Sequence, residues 1–218
     1  MAYLNWDTKI TEDFSPESVA TLYDAGYVFT RVGRGVMNKT RSFRVKLEAF
    51  QMSSENRRIA RKSEHLSLSV RALPLSAADY SWEIGKLAKD FYDAHGADFS
   101  ANKVKELLTD AGASNFNTLL TYTDTRTNLA IGYAICYVDS NLVHYSYPFY
   151  MSNPTEPSRG LGMMIAALEW AKDQGFRYVY LGSLQRPSDT YKLQFAGGEW
   201  FDGEVWQQDT TALKEILK

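Results

Sequence analysis

Two groups of residues in this chain have the types and spacing to meet an anion. The first is Arg159-Gly160-Leu161-Gly162, at the head of a run in which Leu161, Met164, Ile165, Leu168 and Ala171 recur at helical intervals. A glycine-bearing turn at a helix start lets unpaired backbone N–H groups approach a phosphate, with the positive end of the helix dipole behind them and a guanidinium beside them. The same glycines would also serve a plain strand-to-helix turn, so context has to decide. The second group is Arg57, Arg58, Arg61 and Lys62 in S-S-E-N-R-R-I-A-R-K. Spacings of three and four gather these side chains on one face of a helix. Other reactive types are badly placed: His65, His95 and His144 are scattered, and the single cysteine, Cys136, sits in the strand-like A-I-C-Y-V. A disulfide framework is excluded, and neither a Cys-His dyad nor a metal cluster is expected.

Elements must carry these groups, and the totals bound which. The 218 residues, 44% apolar and 14% aromatic, suffice for one domain or two small ones with a sizeable core. No apolar run reaches the roughly 18 residues of a membrane span, and M-A-Y-L-N-W-D-T-K lacks the regions of a signal peptide, so a cytoplasmic protein without membrane partners is expected. The net charge of −2 hides an asymmetry: from Arg31 to Lys62 ten Lys and Arg face two Glu. That segment could meet a polyanion.

In order, Ser15–Ala25 reads as a helix with Pro16 in its first turn, closed by Gly26. Tyr27–Val32 and Phe43–Phe50 read as strands, the second with Phe43, Val45 and Leu47 alternating with a wet, mostly basic face of Arg44, Lys46 and Glu48. A helix start at Ser53 and a strand over His65–Leu73 complete an N-terminal basic α/β subdomain, residues 1–75. Residues 76–218 form the second. Helices are predicted over Asp79–Ala94 and Ser100–Ala111, then an antiparallel meander of Phe116–Tyr122, Leu129–Val138 and Leu142–Tyr150. The helix from Gly160 closes at Gly175, and a buried strand follows over Phe176–Leu181. Beyond it come Tyr191–Phe195, a turn at Gly197-Gly198, a strand around Glu204–Gln208 and a last helix from Thr211.

This order resembles the α+β fold of GCN5-related N-acetyltransferases: a mixed, mostly antiparallel sheet flanked by helices. The smaller N-terminal subdomain reads as a reduced copy of the same fold. That resemblance implies a splayed pair of strands and an acyl donor with its phosphate on the glycine turn. The position three before the first glycine, where those enzymes carry Gln or Arg, holds Pro157, which counts against coenzyme A. A more specific likeness covers most of the chain. L-Y-D-A-G-Y, A-F-Q-M-S-S-E-N-R-R-I-A-R-K, S-R-G-L-G, G-F-R-Y-V-Y-L-G and T-Y-K-L-Q-F, followed by Glu199, Gly203 and Trp206, resemble the arginyl and leucyl aminoacyl-tRNA-protein transferases in matching order. This chain departs from that family in having no cysteines between Gly33 and Phe43 and no Cys-Pro-Lys before Tyr191-Lys192.

The resemblance implies transfer of an amino acid, Arg or Leu class, from charged tRNA to an amine of a protein, peptide or small molecule. No cofactor is expected beyond aminoacyl-tRNA as co-substrate, no metal, and no DNA partner. Arg159, Gly160, Leu161 and Gly162 would hold the 3′ end, and Arg57, Arg58, Arg61 and Lys62 would grip stem phosphates without reading bases. Backbone N–H groups near Leu181–Ser183 would polarise the ester carbonyl. Asp189, Tyr191 and Glu199 are the candidates to accept the amine's proton. Lys192 would attract an acidic acceptor or, failing that, is a solvated surface lysine. Arg159 is expected to be partly exposed. The alternatives are an N-acetyltransferase using acetyl-CoA and a non-catalytic RNA-binding module.

Overall fold

A computed structural model describes residues 4–217; residues 1–3 of the N-terminal stretch read above lie outside the described residues. In chain order the elements are β1 (Asp7–Ile10), α1 (Pro16–Asp24), β2 (Tyr27–Phe29), β3 (Val36–Lys39), β4 (Ser42–Lys46), α2 (Ser54–Lys62), β5 (Leu66–Ala72), α3 (Trp82–Ala94), α4 (Ala101–Thr109), β6 (Thr118–Asp124), β7 (Leu129–Val138), β8 (Leu142–Tyr150), α5 (Arg159–Asp173), β9 (Tyr178–Ser183), a 3-10 helix (Pro187–Gln194), β10 (Gly198–Phe201), β11 (Trp206–Gln207) and α6 (Thr211–Ile216). The mixed α+β class with mostly antiparallel pairing is the one the element order predicts. No helix among the described residues is long and apolar enough to cross a membrane.

The chain divides into two compact units. The first holds residues 1–54, 138–145 and 171–218, the second residues 55–137 and 146–170. The boundary expected near residue 75 falls inside the second unit.

In the first unit, β1, β3 and β2 form a small antiparallel sheet, and a second run has the order β11-β10-β4-β9-β8. Only β8 and β9 pair in parallel there. Pro16 and Glu17 suit the first turn of α1, whose Val19 and Tyr23 are fully buried. Gly26 ends it at φ +85, where a Cβ would lie 2.3 Å from the Phe201 ring. Two strands escaped the sequence pattern. β1 is exposed at every position and β3 mostly half-buried, so neither alternates; main-chain pairing of Asp7 with Lys39 through Ile10 with Val36 makes them. β4 corrects the expectation of a wet basic face. It lies between β10 and β9, both its faces are covered, and Arg44 is buried.

In the second unit β5, β6 and β7 form an antiparallel run. The caps are as the sequence dictates: Ser81 Oγ accepts from the Glu83 N–H at the start of α3, and Ser100 Oγ from the Lys103 N–H at the start of α4. Val104, Leu107 and Leu108 of α4 and Leu119, Leu120 and Tyr122 of β6 are buried. Each such apolar side chain contributes about 1.5–3 kcal/mol of burial.

Candidate functional site

The start of α5 is the first element to test, and it lies in the second unit. Arg159 is only 7% exposed, which overturns the expectation of a partly exposed guanidinium. Its Nη1 donates to the Met151 carbonyl, and its Nη2 and Nε donate to Glu156 Oε2 at 2.7 and 3.2 Å. Glu156 also accepts from Arg126 Nη2 at 2.9 Å, and His65 Nε2 lies 3.4 Å away. Arg126 in turn grips Asp124. Two guanidinium groups, Arg126 first and Arg159 second, hold the Glu156 carboxyl down at about 2, and Arg126 takes Asp124 far below the carboxylate range. The network therefore fixes the loop that leads into α5. The Arg159 charge is spent internally, and the N–H groups of Arg159 and Gly162 donate to the Glu156 and Ser158 carbonyls, so an anion at this turn would rely on the N–H groups of Gly160 and Leu161.

The two glycines have a structural duty as well. A Cβ on Gly160 would lie 2.5 Å from the Tyr150 hydroxyl, and one on Gly162 would lie 2.1 Å from Ser63 Oγ. Ser63 is the residue after α2. Absence of a side chain at Gly162 thus seats the first turn of α5 against the end of α2, with Ile59 in reach of the same point. Asn56 and Ile59 bury one side of α2, while Arg57, Arg58, Arg61 and Lys62 are exposed on the other. Arg58 is paired with Glu55. The glycine turn and the basic cluster, about a hundred residues apart in sequence, are neighbours.

The remaining predicted residues lie in the first unit, around β9. The parallel register of β8 with β9 runs from Leu142↔Tyr178 to His144↔Tyr180, and β9 continues to Ser183. On its other side, Arg44 pairs with Tyr180 and Ser42 with Ser183, so Leu181 and Gly182 oppose Phe43 alone. This is a β-bulge, and Gly182 takes φ +78, which favours glycine. Bulges re-aim backbone groups, and this one falls on the residues proposed to polarise the ester. The Lys192 amino group lies over it, donating to the Ser183 carbonyl at 2.8 Å. Lys192 is 7% exposed, so it is not a solvated surface lysine. Burial lowers its pKa, opposed by Asp189 at 3.9 Å.

Two of the three proton-acceptor candidates, Glu199 and Asp189, are engaged by other groups. Glu199 Oε2 accepts from Arg44 Nε at 2.8 Å and is held as an ion-pair partner. Asp189 Oδ2 caps the 3-10 helix by accepting from the N–H groups of Gln185 (2.7 Å) and Arg186 (2.9 Å). Tyr191 is 44% exposed. Phe195 and Trp200, the aromatics that flank the Gly197-Gly198 pair, are buried in the core.

Two features were invisible in the sequence. Arg44 is enclosed by Glu199, Asp24 at 2.8 Å and the Tyr180 hydroxyl at 3.0 Å, with its guanidinium 3.9 Å from the Trp206 ring centre. His144, the last position of β8 paired with β9, has Nδ1 2.9 Å from the Tyr23 hydroxyl. Burial, with Lys192 second, pushes its pKa down to about 3, so it is a neutral imidazole. Cys136 is fully buried with its thiol pKa raised by desolvation, as an inert core residue should be. Among the described residues no group of three or more His, Cys, Asp or Glu side chains is arranged to hold a metal ion.

No protein-family model matches the chain. It is similar to the aspartate/glutamate leucyltransferase of Ruegeria pomeroyi, 27% identical over 173 residues that make up 78% of this chain and 62% of that protein. A protein of the same name in Ruegeria sp. (strain TM1040) is 26% identical over 170 residues, 76% of this chain and 60% of that one. The chain thus spans less than two thirds of the length of these curated relatives. Among solved structures, L-PGS from Bacillus licheniformis aligns with a TM-score of 0.52 at 13% identity, covering 93% of this chain and 68% of that one. FemX aligns with a TM-score of 0.51 at 8% identity, covering 93% and 71%. At those identities the likeness is one of fold. The resemblance to aminoacyl-tRNA-protein transferases read from the motifs is borne out by the two leucyltransferases.

Proposed function

We propose that this chain is an aminoacyltransferase that moves an amino acid, leucine by preference, from charged tRNA to the amine of an acceptor bearing an acidic residue. The observation that carries the reading is the contact of Gly162 with Ser63, which sets the exposed arginines of α2 beside the glycine turn of α5. An exposed cluster of cations on a helix that ends beside another helix's N-terminus suits a nucleic-acid end better than a compact cofactor. The preference for leucine and for acidic acceptors takes its support from the relatives' name, aspartate/glutamate leucyltransferase. Lys192 supports the acceptor class independently, because a buried ammonium with one carbonyl partner and a carboxylate 3.9 Å away is under-compensated and would gain from an anion.

The reaction needs little from the protein beyond alignment. The neutral amine attacks the ester carbonyl of the aminoacyl group, the nitrogen–carbon bond forms, and the carbon–oxygen bond to the tRNA ribose breaks. The ribose oxygen leaves as a hydroxyl, taking the proton that the amine gives up. In this reading the N–H groups at the Leu181–Gly182 bulge stabilise the oxygen that becomes negative in between. No dedicated base is assigned. Glu199 and Asp189 are committed to Arg44 and to the cap, and an α-amine with a pKa of about 8 is partly neutral at physiological pH.

The test is to supply leucyl-tRNA, arginyl-tRNA and acetyl-CoA in parallel to peptides beginning with Asp, Glu or Ala, and to weigh the products. Leucyl addition to the Asp and Glu peptides is expected. Acetylation alone would overturn the reading in favour of the acetyltransferase alternative, and no product with any donor would favour the RNA-binding one.

A further inference from the structure

A groove in the second unit stands apart from the basic cluster of α2. It lies on the face of the β5-β6-β7 run that carries Arg71, Leu119, Thr121 and Tyr133, is walled by the first turns of α3, and encloses about 760 Å³. Sites of roughly 300–1,000 Å³ take a drug-sized molecule or a short peptide segment. Its rim is unusual for a surface in contact with water: Trp82 is 67% exposed, Leu129 58% and Met151 46%. At one end it reaches Met151, whose carbonyl is held by Arg159 at the start of the glycine turn.

Charge decides what fits. Lys86 is taken by Asp90, and Arg71 lies 3.9 Å from Asp79. Glu83 is different: its carboxylate has the Ser81 hydroxyl at 3.4 Å, and no cation is within ion-pair distance among the described residues. It is adjacent in sequence to the exposed Trp82 indole. On the groove floor burial raises the pKa of Tyr133, with Arg71 opposing the shift and Glu83 adding to it. Trp82 and Glu83 both line the groove, and an indole face and a carboxylate each offer a contact to an ammonium or guanidinium group. The lining sets three carboxylates, Asp79, Glu83 and Asp90, against Arg71 and Lys86, and the net negative charge left at Glu83 disfavours a nucleotide phosphate.

We infer that this groove binds the acceptor rather than the tRNA, and that it selects peptides carrying a lysine or arginine. The inference rests on the aminoacyl-transfer reading for the word acceptor; the groove's preference for a cationic peptide does not.

The two are tested apart by measuring binding with no tRNA present. Fluorescence anisotropy of labelled Asp-Ala-Lys-Ala-Gly and Asp-Ala-Glu-Ala-Gly at low salt is expected to show about a five- to tenfold preference for the lysine peptide, the scale of one exposed cation–π contact with one surface charge pair. Glu83→Lys, in the exposed first turn of α3 where the helix dipole favours a carboxylate, should lower the melting temperature by about a few degrees and abolish the preference, and Trp82→Ala should weaken binding of the lysine peptide severalfold. Equal binding of the two peptides, a preference that survives Glu83→Lys, or displacement of the lysine peptide by AMP would overturn the inference. Selective binding without aminoacyl transfer would leave the groove standing and sink the reaction; transfer with no lysine preference would do the reverse.

Discussion

Replacing Glu156 with glutamine should unfasten the loop that leads into α5. The carboxylate is shared by Arg159 at 2.7 Å, Arg126 at 2.9 Å and His65 at 3.4 Å, and Arg159 is nearly out of water. Removing one partner of a buried pair costs about 3–5 kcal/mol. With 54% of the Arg126 side chain in solvent, the figure here should fall to about 2–3 kcal/mol. Titration gives the same scale: lowering a carboxyl from about 4.3 when unfolded to about 2 when folded is equivalent to about 3 kcal/mol before solvent is allowed for. Because the folded value is depressed, the unfolded chain binds more protons in acid. The stabilisation is complete above about pH 4.3 and fades as pH falls through about 2. Urea denaturation of the parent and Glu156→Gln at pH 7, 5, 4 and 3 should give curves that differ by about 2–3 kcal/mol at neutrality and by about half of that at pH 3. A constant gap across the range, or one below about 0.5 kcal/mol at pH 7, would refute the clamp.

Gly162→Ala should destabilise by about 1–3 kcal/mol because its Cβ meets Ser63, and pairing it with Ser63→Gly should recover much of the loss in a double-mutant cycle of melting temperatures. Lys192→Met should remain folded by circular dichroism, since it replaces a buried ammonium with an apolar chain, while KM for Asp and Glu acceptors rises more than for an Ala acceptor. A uniform rise would remove Lys192 from acceptor recognition. The rate at subsaturating acceptor should climb with pH up to about 8, tracking the amine, and level off above it. A plateau already reached at pH 6 would point to a protein base.

Much of the fold was legible because the long elements announce themselves. The helices over 82–94 and 159–173 carry apolar residues at helical spacing, and the meander over 118–150 is punctuated by short polar turns. What failed to show has a physical cause in each case. β1 is held by main-chain pairing rather than by a buried face, so D-T-K-I carries no pattern. Tyr191 lies in a 3-10 helix capped by Asp189, and Gly198 opens a strand where a turn was expected. Arg44 looked solvated because alternation reports one wet face, and a strand covered on both sides has none. The basic cluster and the glycine turn were each legible, but their meeting through Gly162 and Ser63 was not, since nothing local to either stretch encodes it. His144 acquires its Tyr23 partner only through the fold, 121 residues away in the chain.

The donor is the central claim, and the salt dependence of its capture tests it most directly. Binding of leucyl-tRNA should weaken steeply with salt in the parent protein. Replacing Arg57, Arg58 and Arg61 together with alanine should lower the slope of log K against log salt by about two to three, roughly one for each phosphate that is no longer neutralised. An unchanged slope in the triple variant, with binding otherwise intact, would contradict the account.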